Sequence, residues 1–195
     1  MEVRRGPATS VDEVLDLYAR WGEEHYDEEL TQASHAVQVA AWARSESATE
    51  PEVAAALLHD VGHLLVMEAH AAGEPVDLDE DWHHELLGAR YLGPLFPTAV
   101  TGPIALHVQA KRYRCTVDPT EIERLSPGSQ ASLARQGGPM SDAEVERFAR
   151  LPAAHAAIRL RAWDDAGKAL DVVPAPVASY RALLSRVAED WTAIG

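Results

Sequence analysis

The segment AALLHDVGHLL, residues 55–65, restricts the fold of this chain more than any other stretch. Leu57, Leu58, Val61, Leu64 and Leu65 follow the i, i+3, i+4, i+7 spacing of a buried helix face. Into that face the sequence sets His59 and His63, one helical turn apart, with Asp60 beside the first. Burying a carboxylate and two imidazoles is costly unless a cation or a full set of hydrogen bonds compensates. A lone His–Asp pair can be satisfied by backbone groups, so the remainder of the chain decides what this pair is for.

The remainder is helical in pattern, with no alternating strand signal, no internal repeat and no linker. Ser10 and Glu13 have capping-box spacing and open an amphipathic helix to about Trp21. A second helix is expected from about Thr31 to Ala43. Thr49 and Glu52, with Pro51 in the first turn, open the helix that carries His59 and Asp60, expected to run unbroken to about His70. Further helices are expected over 82–92, 98–110, 141–149, 152–169 and 176–192, with Ser141 and Glu144 as a third capping box. Residues 115–140 carry Pro119, Pro127, Gly137, Gly138 and Pro139 and read as a long irregular segment, a length usually reserved for function or mobility. The expectation is one all-α domain over residues 1–195, a helical bundle with its polar site in the core.

Composition narrows the class of function. With 47% hydrophobic and 25% charged residues the chain is globular. No apolar run approaches the roughly 18 residues of a membrane span, and the N-terminus lacks the apolar core of a secretory signal. The single cysteine, Cys115, fits a reducing cytoplasm and is expected to be a small buried residue. A net charge of −14 argues against nucleic acid as a partner, although a small anion remains open to a pocket with its own local charges.

The inward polar residues do not stop at one helix. His35 lies among small apolar residues in TQASHAVQVAAWA, His84 opens HELLGARYL, His107 lies in PIALHVQAKRY, and Asp164 in RLRAWDDAGK. Five helices each bringing a histidine or aspartate inward point to a metal site. Mixed imidazole and carboxylate donors suit Fe, Mn, Co, Ni or Zn, whereas an all-oxygen set would suit Mg or Ca. An aspartate between two sets of histidines could bridge two ions.

The order His35, His59–Asp60, His84, His107, Asp164 resembles the HD-domain superfamily. HDVGHLL, HELLGARYLGPLFPTAV, LHVQAKRYRCTVDP, LSPGSQASLARQGGPMS and RLRAWDDAGK together resemble its phosphonate-degradation oxygenases, mixed-valent diiron enzymes related to myo-inositol oxygenase. The resemblance spans roughly residues 12–187. It implies two irons as cofactor, the first held by His35, His59, Asp60 and Asp164 and the second by Asp60, His84 and His107, with Asp60 as the bridge. His83 competes with His84, which is preferred because it stands four residues before Gly88–Ala89. Asp165 competes with Asp164, which is preferred because it follows Arg161 at the family's Arg-x-x-Asp spacing.

The resemblance also implies how substrate is held. A phosphonate carries up to two negative charges and needs cations and donors when buried. His63, Lys111 and Arg161, each one turn from a metal-binding residue, and Ser129 are the expected partners, with Ser126 and Ser132 as neighbours that could take the place of Ser129. Glu28, seven residues before His35, is expected to bind the substrate's amino group. Tyr26 is expected to occupy an iron coordination position until substrate displaces it, with His25 as the alternative. His63, Lys111 and Tyr26 are thus the expected catalytic residues.

The activity so implied is O2-dependent cleavage of the C–P bond of a 1-hydroxy-2-aminoethylphosphonate-type substrate, amino or trimethylammonio, to phosphate and a carboxylate such as glycine or glycine betaine. Two rivals use the same residues differently. A metal-dependent HD phosphohydrolase would attack a nucleotide or other phosphate ester with metal-activated water, and a non-catalytic module would keep the site only as a relic.

Overall fold

A computed structural model describes residues 6–25, 30–76, 82–169 and 175–192 of the chain. Tyr26 and Glu28 lie outside these. Among the described residues there is no strand, only one isolated bridge between His25 and Thr31. The helices are α1 (Val11–Trp21), α2 (Gln32–Ser45), α3 (Glu50–Leu58), α4 (Val61–Ala71), α5 (His84–Leu92), α6 (Thr98–Val117), α7 (Glu121–Arg124), α8 (Pro127–Arg135), α9 (Asp142–Ala149), α10 (Ala154–Ala166) and α11 (Arg181–Thr192). A 3-10 turn at Val177–Tyr180 leads into the last of them.

The fold is an all-α bundle. Helix α10 packs along α6 and also meets α2 and α3, while α5 is held between α4 and α6. The apolar faces of α1, α3, α4 and α11 close one core, in which Val14, Leu17, Leu57, Leu58, Leu64 and Leu184 are fully buried. No described helix is long and apolar enough to cross a membrane.

Local signals set most helix starts. Thr49 and Glu52 form a reciprocal capping box, with the Glu52 carboxylate accepting from Thr49 N at 2.9 Å. Ser141 and Glu144 do the same at 2.8 Å. The pair at α1 differs from its expectation. Ser10 Oγ accepts from Glu13 N at 3.2 Å, but the Glu13 carboxylate reaches Thr9 N and Oγ1 rather than Ser10 N.

Two larger expectations are corrected. The helix expected to run through residue 70 is broken: α3 stops at Leu58 and α4 restarts at Val61. Asp60 is the N-cap of α4 and sits at φ −100°, ψ 12°, in the sparsely allowed bridge region where active-site residues are often found. Near the joint the Tyr18 hydroxyl donates to Leu57 O at 2.9 Å, serving one of the last carbonyls of α3.

The segment expected to be irregular is largely helical. Helix α6 continues past residue 110 to Val117, and α7 and α8 follow. Pro127 does not prevent α8, because it stands in the first turn, where its missing N–H costs nothing, and Ser126 Oγ caps the helix by accepting from Ser129 N. Gly137 at φ +94° and Gly138 at φ +70° end it. Their N–H groups donate to Ala134 O at 3.3 Å and Leu133 O at 2.9 Å, the paired bonds of a Schellman cap that glycine adopts without strain.

Candidate metal centre

Helices α2, α5, α6 and α10 and the α3–α4 joint each place polar groups at one point in the bundle. His35, His59, Asp60, His84, His107 and Asp164 are all buried there. They form two groups whose ligand atoms could each hold a metal ion: His35, His59 and Asp164 in one, Asp60, His84 and His107 in the other.

Asp60 joins the two groups by dividing its oxygens. Oδ2 lies 3.2 Å from His59 Nε2 and 3.9 Å from His35 Nε2. Oδ1 lies 3.4 Å from His84 Nε2 and 3.5 Å from His107 Nε2. Asp164 likewise turns Oδ1 toward His35 Nε2 at 3.2 Å and gives Oδ2 to Arg161 Nη1 at 2.5 Å. Donor atoms that share an ion at about 2.0–2.1 Å lie roughly 3–3.5 Å from one another, and most of these separations fall in that range. His59 Nε2 and Asp164 Oδ1 are buried and make no properly aligned hydrogen bond among the described residues. The donor set therefore fits a pair of cations.

Backbone carbonyls orient three of the rings. His35 Nδ1 donates to Gly167 O at 3.0 Å, His59 Nδ1 to Ala56 O at 2.9 Å and His107 Nδ1 to Ile104 O at 2.8 Å. That assignment leaves each Nε2 with its lone pair toward the centre, the form a metal requires. The charges of the site make Asp60 and His107 ready for a cation, while His59 holds a proton that a cation would have to displace. Burial would raise the Asp60 carboxyl, but His59, His84 and His63 outweigh it and hold the group well below the usual carboxylate range. Burial and the adjacent His84 keep His107 neutral. Burial opposes protonation of His59, yet Asp60 and Asp164 lift it to about 9.

His63 is half-buried and stacks on His84 with ring centroids 4.0 Å apart. Arg161 is buried and forks onto Asp165 through Nε and Nη2 while its Nη1 holds Asp164. Asp165 is thus occupied by Arg161 rather than placed in either group. His83 is also outside them, with its side chain 68% exposed, whereas that of His84 is 10% exposed.

Lys111 is only 4% exposed, and its Nζ donates to Ser132 Oγ at 2.7 Å. Ser129 is buried too, but the lysine on its hydroxyl is Lys168, at 2.9 Å, with Ser126 Oγ at 3.3 Å from the same Nζ. Sequence reasoning missed Lys168. It follows Gly167, whose carbonyl holds His35, so the turn after α10 reaches the first group and α8 together. Its position four residues after Asp164 was the available signal. His25 is exposed, and its carbonyl accepts from Gln32 Nε2 at 3.3 Å.

A helical bundle enclosing two His/Asp groups joined by one carboxylate is an architecture that could hold a pair of metal ions. The chain is 44% identical over 168 residues to the hydroxymethylphosphonate dioxygenase of Gimesia maris, which covers 86% of this chain and 83% of the relative. It is 37% identical over 163 residues to the glycine-betaine-forming [1-hydroxy-2-(trimethylamino)ethyl]phosphonate dioxygenase of Leisingera caerulea, covering 83% of this chain and 82% of the relative. An uncharacterised protein of Acanthamoeba polyphaga mimivirus is 30% identical over 179 residues, covering 90% and 80%. No protein-family model matches the chain. The chain belongs to the phosphonate-degradation oxygenase family that the first two relatives represent.

Proposed function

We propose that this chain is a single HD domain acting as a diiron oxygenase that cleaves the C–P bond of a 1-hydroxyphosphonate with O2. The observation that carries the reading is Asp60, whose two oxygens face two separate histidine groups. The site residues are those expected from the sequence: His35, His59, Asp60 and Asp164 for one iron, and Asp60, His84 and His107 for the other. When bound, the irons supply Lewis acidity toward the substrate hydroxyl and the electrons that O2 chemistry requires.

The protein supplies charge and orientation. Lys111, Ser129 and Lys168 form a cationic, hydroxyl-lined edge suited to a phosphonate, and Arg161 completes it while keeping Asp164 in place. His63, stacked on His84, stands where it can take or return a proton at the substrate hydroxyl. Glu28 and Tyr26 keep the roles implied for them, amine recognition and gating. The reaction balances without an external reductant: hydroxymethylphosphonate and O2 give formate and phosphate, and an aminated homologue gives glycine or its trimethyl form. The reading places the enzyme in the cytoplasm, in keeping with its single, buried cysteine.

The experiment is a panel of hydroxymethylphosphonate, 1-hydroxy-2-aminoethylphosphonate and its trimethylammonio analogue, followed by phosphate release and O2 uptake. The expected result is equimolar phosphate and O2 consumption with at least one of them, and none under anaerobic conditions. Turnover of nucleotides or phosphate esters without O2, activated by Mn, Co or Mg, would overturn the oxygenase in favour of the phosphohydrolase.

A further inference from the structure

His84 differs from the other three histidines of the centre in what lies behind it. The group near its Nδ1 is not a carbonyl but the carboxylate of Glu85, with Oε2 at 3.8 Å. Glu85 is 6% exposed, and its Oε2 is buried without a hydrogen bond among the described residues. The other imidazole near that carboxylate, His83 Nδ1 at 3.7 Å from Oε1, belongs to a solvated side chain. Glu85 stands in the first turn of α5, where the helix dipole favours a carboxylate only modestly. A buried, unsatisfied carboxylate oxygen calls for a stronger reason.

The proton of His84 supplies that reason. On Nε2 it points at His107 Nε2, 3.1 Å away. On Nδ1 it faces Glu85, and the Nε2 lone pair then converges with His107 Nε2 and Asp60 Oδ1. Only the second tautomer turns a lone pair toward a metal held with His107 and Asp60. A shift of roughly an ångström in a carboxylate side chain brings 3.8 Å to hydrogen-bond distance.

We propose that Glu85 is a positioning residue for the second metal group: it accepts the Nδ1 proton of His84 and thereby selects the metal-binding tautomer. His84 would then have an anionic partner where His35, His59 and His107 have neutral carbonyls, which makes it a stronger donor. This rests on the dinuclear reading given above.

The test is anaerobic Fe2+ titration of the full chain with the substitutions Glu85→Gln and Glu85→Leu, with thermal melts before and after loading. The parent is expected to bind two ions. Glu85→Leu should weaken the second by about 10- to 100-fold and leave the first unchanged. Glu85→Gln, which keeps an acceptor but loses the charge, should fall between. The chelator-treated Glu85→Leu protein should melt no lower than the parent, because a buried unsatisfied charge has been removed.

Two ions bound by Glu85→Leu as tightly as by the parent would overturn the proposal while leaving the dinuclear centre intact. An equal drop in melting temperature with and without iron would assign Glu85 a purely structural role and overturn it as well. Fewer than two ions in the parent would remove the dinuclear reading and this inference together.

Discussion

Lys111→Met is expected to stabilise the protein near neutral pH while inactivating it. Burial, reinforced by the nearby Arg161 guanidinium, pushes the Lys111 ammonium from 10.5 down to about 8. Between those two values the unfolded chain still holds a proton that the native protein has released, so stability rises with pH across that window. Below pH 8 the full cost of burying the charge is present. At 1.36 kcal/mol per pK unit that cost is roughly 3 kcal/mol. Methionine avoids it and forfeits the bond to Ser132, worth about 1 kcal/mol. Ser132 Oγ still donates to Ser129 O at 3.1 Å, so it is not stranded. The net gain at pH 7 is about 2 kcal/mol, or ~4–8 °C in Tm for a chain of this size. At pH 10 less than about 1 kcal/mol of the cost remains, and the advantage should vanish or reverse. Melts of parent and variant at pH 7, 8.5 and 10, beside phosphate-release assays, measure both effects. A lower Tm for the variant at pH 7, or a difference that does not change with pH, would refute the reasoning.

Asp60→Ala should abolish binding of both ions, since one carboxylate faces both groups and its loss leaves two cations repelling in a dry site; metal analysis of the purified variant reads this directly. His84→Ala should retain one iron and His83→Ala two, and the reverse pattern would show that the ligand register of α5 is wrong. Gly62→Ala should displace α5, because the new Cβ would sit 2.0 Å from His84 O and 2.7 Å from its carbonyl carbon. Overpacking of this kind costs about 1–3 kcal/mol, and the measured result should be a lower Tm together with loss of the second ion. Glu28→Gln should leave iron content unchanged and lower kcat/KM for the aminated hydroxyphosphonate by roughly 10- to 200-fold, the kinetic value of a charge-assisted hydrogen bond. Hydroxymethylphosphonate, which has no amine, should be affected far less; equal kinetics on both substrates would take Glu28 out of the site.

What the sequence determined alone was whatever depends on neighbours a few residues apart. The capping box at Thr49 and Glu52 and the inward faces of α2, α6 and α10 were readable because hydrogen bonds across three residues and a 3.6-residue period are local. The identity of the six metal-group residues was readable for a related reason: histidine and aspartate in apolar helical runs are costly enough to be conspicuous. The division of labour among them was not. That Asp60 turns one oxygen to each group depends on a break between Leu58 and Val61 that no glycine or proline announces. It also depends on α5 lying against Gly62, more than twenty residues away. The density of proline and glycine in residues 115–140 suggested a loop, yet Ser126 as a cap and Pro127 in the first turn are equally the start of a helix, and the bonds from Lys111 and Lys168 favour that choice. Those lysines lie 21 and 39 residues from the serines they hold, and His84 meets Asp60 and His107 only because α5 packs between α4 and α6. Contacts at such separations follow from which apolar faces pack together in the bundle, so only the tertiary structure could assign them.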